Sequence, residues 1–208
     1  MKILLGAASR DYDWVNEAVA TFTWLSHSGP INTVIATQIR DSTYLDFSRN
    51  QLIQDAKEID ADYLFMLDSD VYLEEFDKGL NYMIGQAQAH EAGVYSGIYV
   101  SAMNNEKSIS AYTLVDGTYK PIKKWPNTIR EVDAVGGGFL LISKKVLDTF
   151  PLPYNIVGPF DRFVHLGEDI SFSNRVATKG FKIVIDPFIK LGHKKPKGLN
   201  RVTFEQEK

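Results

Sequence analysis

The chain has 208 residues, of which 44% are hydrophobic and 12% aromatic, and this length and composition predict a single globular domain. Its 23 Lys and Arg residues against 26 Asp and Glu residues give a net charge of −3, which argues against nucleic-acid binding through overall charge. The sequence contains no cysteine, so disulfides, iron–sulfur clusters and thiolate zinc sites are excluded.

The first hundred residues alternate between strand-like and helix-like segments, which is typical of an α/β sheet. The patterns predict strands at residues 2–8, 33–39, 62–67 and 93–100, and helices at residues 12–26, 48–59 and 74–89. The run Tyr63–Leu67 is apolar without alternation, which indicates a strand buried on both faces of a parallel sheet.

After Val100 the segments become shorter. Residues 110–115 and 118–122 flank Asp116-Gly117, which is a strong signal for a β-hairpin. The remaining patterns predict strands at residues 130–135, 139–142 and 181–185, a helix from Ser143 to Phe150, and a helix over residues 168–179 that ends at Gly180.

No segment of the sequence is suited to span a membrane. The longest charge-free stretch, residues 18–39, contains many polar residues together with Gly29 and Pro30. The apolar run Ile3–Ala8 is too short for the core of a signal peptide. The sequence therefore predicts a soluble, cytoplasmic protein, with peripheral contact with a membrane left open.

Two carboxylates, Asp68 and Asp70, flank Ser69 directly after the predicted buried strand. The end of such a strand lies at the carboxyl edge of the sheet, where open α/β folds bind ligands. Two adjacent carboxylates repel each other unless a cation lies between them, and Mg²⁺ or Mn²⁺ prefers oxygen ligands. A polar turn in which Asp70 only caps the next element is the alternative. Arg49-Asn50 lies in the first turn of the predicted helix that leads to this strand.

Two glycine-containing motifs follow in the second half of the chain. Gly136-Gly137-Gly138 separates two predicted strands and permits either a close approach of backbone to a ligand or a positive φ, although a simple bulge explains it equally well. Gly167-Glu168-Asp169 begins a predicted helix. Acidic residues there are favoured by the helix dipole, and the functional interpretation is a general base or a ligand for a sugar hydroxyl.

The end of the sequence is basic. Residues 190–208 contain six basic and two acidic residues, so this segment carries +4 against −7 for the rest of the chain. His193 stands beside Lys194, Lys195 and Lys197, and an imidazole with several ammonium groups could complete a metal site and neutralise phosphates. Solvated surface residues are the plainer interpretation.

The order of these motifs resembles that of the GT-A glycosyltransferases, and more narrowly the family 2-like enzymes and their small bacterial and phage relatives. The resemblance covers roughly residues 2–194, and the matching stretches are residues 47–50, 61–70, 135–142, 167–172 and 180–193. It implies one GT-A-like three-layer α/β domain over residues 1–208, with a mostly parallel central sheet and a small antiparallel addition. Residues 1–100 would form the nucleotide-binding half, residues 101–195 the acceptor-side half, and residues 196–208 a basic tail.

The resemblance also implies a metal-dependent transfer of a sugar from a nucleotide-diphosphate sugar. Asp70 would be the direct ligand of Mn²⁺ or Mg²⁺, Asp68 would contact the ribose or the metal, and His193 would complete the metal site. Asp169 would be the base of an inverting reaction, with Glu168 as the second candidate. A retaining reaction would leave both carboxylates as ligands of sugar hydroxyls.

The remaining implied contacts concern donor and acceptor. Gly136, Gly137 and Gly138 would line the donor sugar and the acceptor, which is a glycan, a protein or a modified nucleic-acid base. The donor would be held by Ala7, Ala8, Ser9, Arg10, Arg49, Asn50, Asp68, Ser69, Lys194 and Lys195.

Four other classes of protein are alternatives to the glycosyltransferases. A haloacid-dehalogenase-type phosphatase would carry Asp-x-Asp in its first strand, whereas 67 residues precede Asp68. A sugar-nucleotide nucleotidyltransferase would have a Gly-rich, Arg-containing first loop, which Gly6-Ala7-Ala8-Ser9 lacks. A dinucleotide-dependent oxidoreductase would show Gly-x-Gly-x-x-Gly after the first strand. A non-catalytic module that binds nucleotide sugars or carbohydrates remains the main alternative.

Overall fold

A computed structural model of the chain describes residues 1–9, 15–30, 34–41, 44–75, 78–103, 106–150, 159–160 and 166–193. The strands are β1 (Lys2–Ser9), β2 (Val34–Asp41), β3 (Tyr63–Asp68), β4 (Val71–Glu75), β5 (Ala92–Met103), β6 (Glu106–Ile109), β7 (Ala111–Val115), β8 (Thr118–Pro121), β9 (Arg130–Val132), β10 (Ala134–Val135), β11 (Phe139–Ser143) and β12 (Lys182–His193). The helices are α1 (Val15–His27), α2 (Leu45–Glu58), α3 (Gly79–Ala89), α4 (Lys144–Leu147) and α5 (Glu168–Thr178). None of the helices in these ranges is long and apolar enough to cross a bilayer.

A large central sheet organises the molecule, with the strand order β2-β1-β3-β11-β5-β12-β4. In the described part of the chain, β2, β1, β3, β5 and β12 run in one direction, whereas β11 and β4 run in the other. Strands β6 and β9 add antiparallel pairs to β5 and β12. A second, small antiparallel sheet has the order β10-β7-β8. The prediction of a mostly parallel central sheet with a small antiparallel addition is confirmed at this level.

Helices cover both faces of the central sheet, because its strands are apolar on both sides. Leu64 and Met66 of β3 pack in a core with residues of α2, α4 and α5. Phe65 and Leu67, which point to the opposite face, pack with residues of α1 and α3. The alternation of neighbouring residues between two cores follows from the two-residue period of a strand. The result is a three-layer α/β arrangement.

The largest difference between the predicted and the observed secondary structure concerns the helix expected over residues 74–89. The chain instead forms β4, which pairs antiparallel with β12, and α3 begins only at Gly79. Gly79 has φ of +71°, and the Ser28 hydroxyl accepts a hydrogen bond from the Leu80 N–H at 3.1 Å, so the helix start depends on a contact with the end of α1. Pairing with a strand more than a hundred residues away is not visible in a local pattern.

Other differences concern the ends of elements. Strand β12 continues to His193, well past the expected end at residue 185, and α2 begins at Leu45, so Arg49-Asn50 lies in the second turn. Helix α4 ends at Leu147 instead of Phe150, and Ser143 at its N-cap position makes no side-chain capping hydrogen bond.

The hairpin and the end of α5 agree with the sequence patterns. Asp116 and Gly117 join β7 to β8 with φ of +50° and +73°, as the Asp-Gly turn predicted. Gly180 follows α5 with φ of +82°, the conformation that makes glycine a common residue after a helix.

Candidate functional site

The candidate site lies at the carboxyl edge of the central sheet, where β1 and β3 end side by side. Ala8 and Asp68 are register partners in the parallel pair of β1 and β3, and the Ser69 N–H donates to the Ala8 carbonyl at 3.0 Å. The Asp68 N–H donates to the Gly138 carbonyl at 2.9 Å. The Asp68-Ser69-Asp70 turn and the three glycines therefore meet at one point, as expected for a ligand site in an open α/β sheet.

A buried arginine joins three parts of the chain at this edge. The Arg49 side chain is 3% exposed, and its Nη2 donates to both carboxylate oxygens of Asp68, at 3.0 and 2.7 Å. Its Nη1 donates to Oε1 of Glu168 at 3.2 Å. Burial by itself lowers the pKa of Arg49, but the charges of Asp68, Asp169 and Glu168 outweigh it and raise that pKa above its usual value.

The three glycines lie against protein side chains. A Cβ at Gly137 would lie 2.6 Å from Cζ of Arg49, and one at Gly136 would lie 2.4 Å from the Tyr99 hydroxyl. A Cβ at Gly138 would meet Val71 at 2.9 Å. All three glycines are buried, and none has a positive φ. Of the two reasons for glycine that the sequence offered, close approach is therefore the one that applies, and the approaching groups include Arg49 and Tyr99.

Asp169 is the half-buried carboxylate at the start of α5, beside Glu168. Its Oδ1 accepts a hydrogen bond from the Ile170 N–H at 2.8 Å, and the Gly137 N–H also donates to this carboxylate. Burial raises the pKa of Asp169 above the usual range, while Arg49 opposes and Glu168 adds to the rise. The result is a carboxylate of increased basicity at the edge of the sheet.

Asn50 has a local structural contact. Its Oδ1 accepts a hydrogen bond from the Phe160 N–H at 2.8 Å, and Nη1 of Arg175 donates to the Pro159 carbonyl at 2.8 Å. The Phe160 ring stacks on Phe172 with centroids 4.2 Å apart and lies 5.6 Å from Cζ of Arg49. Asn50 and Arg175 thus hold the segment that carries the Phe160 ring, which lies near the buried Arg49.

The expected metal ligands are only partly described. Asp70 directly precedes β4, and the backbone of His193 pairs with Val71, the next residue. This register brings the position of His193 beside the Asp68-Ser69-Asp70 turn. Within the described residues, no group of three His, Cys, Asp or Glu side chains is placed to hold a metal ion. The side chain of His193 lies outside the described residues.

Several other expected donor ligands lie at this edge or outside the description. Ala7 and Ala8 are buried at the end of β1, and Ser69 is 6% exposed in the turn. The side chain of Ser9 and the whole of Arg10, Lys194 and Lys195 lie outside the described residues.

Two tyrosines of the site were not singled out by the sequence. Tyr99 of β5 is 8% exposed; burial raises its pKa well above the usual value, and the nearby charges of Asp68 and Asp169 add to this. Burial and the charge of Asp169 raise the pKa of Tyr112, on β7, to about 12. A tyrosine in an apolar strand looks like any core residue, so no pattern could have selected either one.

Comparisons with known proteins bear on the fold. No protein-family model matches the chain, and no curated protein matches it. The crystal structure of A197 from STIV is 21% identical, with a TM-score of 0.62 over 94% of this chain and 87% of that chain. A putative glucose-1-phosphate thymidylyltransferase from Bacillus anthracis, solved in complex with a sucrose, is 8% identical, with a TM-score of 0.50 over 93% of this chain and 89% of that chain.

A third solved structure is a glycosyltransferase involved in the glycosylation of the major capsid of PBCV-1. It is 14% identical, with a TM-score of 0.40 over 72% of this chain and 63% of that chain, and is too distant to bear on function. The first two likenesses show that this chain shares its α/β fold with these proteins. Membership of the GT-A family 2-like enzymes stays a prediction from the motifs.

Proposed function

We propose that this protein is a glycosyltransferase that moves a sugar from a nucleotide-diphosphate sugar to an acceptor hydroxyl with inversion at the anomeric carbon. The observation that carries the proposal is the placement of Asp169, a carboxylate of raised pKa, beside the Asp68-Ser69-Asp70 turn at the carboxyl edge of the sheet. The motif resemblance supports the same class, and the fold is one that a putative glucose-1-phosphate thymidylyltransferase shares.

Asp169 suits the role of general base. An attacking hydroxyl must lose its proton as the new glycosidic bond forms, and a base works best when its pKa lies close to the working pH. The raised pKa moves Asp169 in that direction, while Arg49 limits the rise and keeps the ionised form accessible. Glu168 is the weaker candidate, because its Oε1 already accepts a hydrogen bond from Arg49.

The charge of the site favours a bound cation. Among the described residues at this edge, the carboxylates of Asp68, Glu168 and Asp169 lie around the Arg49 guanidinium, so this part of the site is acidic. The motif resemblance makes Asp70 the direct metal ligand, and β12 brings the position of His193 next to it. Oxygen with imidazole favours Mn²⁺ over Mg²⁺. The bound ion would neutralise the departing diphosphate.

The remaining donor contacts are assigned by position. Ala7 and Ala8 lie at the end of β1, where their backbone would meet the nucleoside, with Ser9 and Arg10 next along the chain. Lys194 and Lys195 follow the end of β12 and would offer point charges to the phosphates. The acceptor class, whether a glycan, a protein or a modified nucleic-acid base, is the remaining open choice.

The test is a panel of nucleotide sugars incubated with the protein and Mn²⁺, with released nucleotide diphosphate as the readout. Asp70→Ala should abolish metal-dependent donor binding in calorimetry, whereas a merely capping Asp70 would cost about 1 kcal/mol of stability and leave binding intact. Asp148→Ala is a matched control, because Asp148 is exposed and its ion pair with Lys144 lies on the surface.

Product analysis separates the alternatives. Donor binding without nucleotide release would identify a non-catalytic binding module. Release of pyrophosphate from a nucleoside triphosphate and a sugar 1-phosphate would identify a nucleotidyltransferase, the activity named for one of the proteins that share this fold. A product that keeps the donor's anomeric configuration would make Glu168 and Asp169 sugar ligands instead of bases.

A further inference from the structure

We propose that Arg49 is a positioning residue, which clamps Asp68 and Glu168 together and thereby holds Asp169 in place, and that it does not bind the donor. The motif resemblance had placed this arginine against the nucleotide or its diphosphate. The expected change in turnover rests on the proposed function. The expected change in the pKa of Asp169 rests on the geometry of the site alone.

The clamp joins three elements that are far apart in sequence. Arg49 on α2 forms hydrogen bonds with Asp68, 19 residues away at the end of β3, and with Glu168, 119 residues away at the start of α5. Both terminal nitrogens donate to protein carboxylates, and the side chain is 3% exposed. A planar guanidinium can serve two carboxylates in different directions at once, whereas an ammonium group is a single point of charge.

The surroundings of the guanidinium leave it little freedom to turn toward a ligand. Gly137 lies against it so closely that a Cβ would come within 2.8 Å of both terminal nitrogens. The Phe160 ring lies 5.6 Å from Cζ. Nε is buried and has no hydrogen-bond partner among the described residues. The orientation of the guanidinium is therefore set by the hydrogen bonds of its two terminal nitrogens to Asp68 and Glu168.

The link to Asp169 runs through two contacts. Asp169 follows Glu168 in α5, so a carboxylate held by Arg49 sits next to it, and the Gly137 N–H donates to Asp169 itself. Besides Arg49, the titratable groups of the described residues that act on Asp169 are Glu168 of α5, Tyr99 of β5 and Tyr112 of β7. Arg49 is the cation in this set, so its displacement removes the charge that opposes protonation of Asp169.

Gly137→Ala tests the clamp without changing any charge. The added methyl group must displace the guanidinium, because it would lie 2.6 Å from Cζ. We expect kcat to fall by about 10²-fold, the cost of a misplacement of about 1 Å, with KM for the donor changed by less than about threefold. A carbon-13 NMR titration should show the pKa of Asp169 above its wild-type value. Gly85→Ala is the matched control, because a Cβ there meets nothing within 4 Å.

Arg49→Lys is the second variant if Gly137→Ala does not fold. It keeps one positive charge but cannot serve both carboxylates in the same way, so kcat should fall, while the retained charge limits the rise in the pKa of Asp169. An unchanged kcat with a raised donor KM in both variants would assign Arg49 to the donor and overturn the proposal. Wild-type kcat and wild-type titration of Asp169 in both variants would also overturn it.

The two readouts separate this proposal from the proposed function. If the wild-type protein turns over no nucleotide sugar but Asp169 still titrates at higher pH in Gly137→Ala, the positioning role holds and the glycosyltransferase proposal fails. If the wild-type protein is active and neither readout moves in Gly137→Ala or Arg49→Lys, the glycosyltransferase proposal stands and the clamp is wrong.

Discussion

Two polar clusters of this protein differ in the groups that meet their carboxylates. Asp186 is fully buried in β12 and accepts hydrogen bonds from the Tyr95 hydroxyl at 2.5 Å, from the Phe188 N–H at 2.8 Å and from Tyr82. One carboxylate thus has three donors. At the carboxyl edge of the sheet, Arg49 forms hydrogen bonds with Asp68 and Glu168 and lies close to the charge of Asp169.

The Asp186 cluster has a structural task. The pairing of β12 with β5 is interrupted between Ile185 and Lys190, and the Asp186 carboxylate receives the N–H of Phe188 inside that interruption. The indole N–H of Trp125 donates to the Pro187 carbonyl at 3.2 Å in the same stretch. Burial, together with Asp186, raises the pKa of Tyr82 to about 12, so the donor stays protonated. A buried carboxylate with several hydrogen-bond donors stabilises an irregular strand in this way.

The comparison separates a structural cluster of hydrogen bonds from a cluster of perturbed charged groups. Buried polar groups are ordinarily paired, because an unpaired one costs free energy of folding. The carboxyl-edge cluster instead holds Asp169 at a raised pKa and keeps Nε of Arg49 buried without a hydrogen-bond partner among the described residues, and perturbed groups of this kind gather at functional sites. Substitutions in the two clusters should therefore separate activity from stability.

The largest expected effect is on catalysis at Asp169. Asp169→Asn removes the proton acceptor while keeping the size of the side chain and an acceptor for the Ile170 N–H, so turnover should fall by about 10²–10⁴-fold with donor binding retained. Steady-state rates with saturating donor and metal measure this. Near-normal turnover would defeat the base assignment, and loss of activity in Glu168→Gln alone would move the role one residue earlier.

The next effect is on stability at Asp68. Asp68→Leu leaves Arg49 buried with Glu168 as its remaining hydrogen-bonded partner, so the free energy of unfolding should fall by about 3 kcal/mol. Urea denaturation of the variant and the wild-type protein gives the difference. A loss below about 1 kcal/mol would mean that the Arg49–Asp68 pair is worth no more than a surface ion pair, and the clamp would lose its main support.

A smaller effect is expected in the Asp186 cluster. Asp186→Asn offers an NH₂ group where Asp186 accepts hydrogen bonds, which should lower the free energy of unfolding by about 1–3 kcal/mol without changing turnover of the folded protein. Urea denaturation and the nucleotide-release assay measure the two quantities. A change in turnover larger than the change in folded fraction would show that the two clusters are not independent.

The smallest effect is a pH dependence of stability. The pKa of Asp169 is raised in the folded protein, so the stability that its protonated form contributes is present below the usual Asp range and is lost as the pH rises through the folded pKa. Asp169→Asn does not ionise and escapes this loss. The melting temperature of Asp169→Asn relative to wild type should therefore increase from pH 4 to pH 8, and an equal difference at both values would contradict the raised pKa.

Much of the fold could be predicted from local sequence. The apolar runs of β1 and β3, the Asp116-Gly117 turn and Gly180 after α5 are confirmed, because each depends on residues that are neighbours in the chain. Strand β4 was missed, because its pairing with β12 depends on residues more than a hundred positions away.

The sequence by itself determined which chemical groups this protein has at the carboxyl edge of its sheet. It placed Asp68 and Asp70 after a buried strand, and Glu168 and Asp169 at the start of a helix. Only the tertiary structure decided how these groups are used among the described residues: Arg49 bonds Asp68 and Glu168, and Gly137 lies against its guanidinium. The physical reason is that composition and period act within one element, whereas an ion pair across 119 residues exists only once the sheet and helices have brought its partners together.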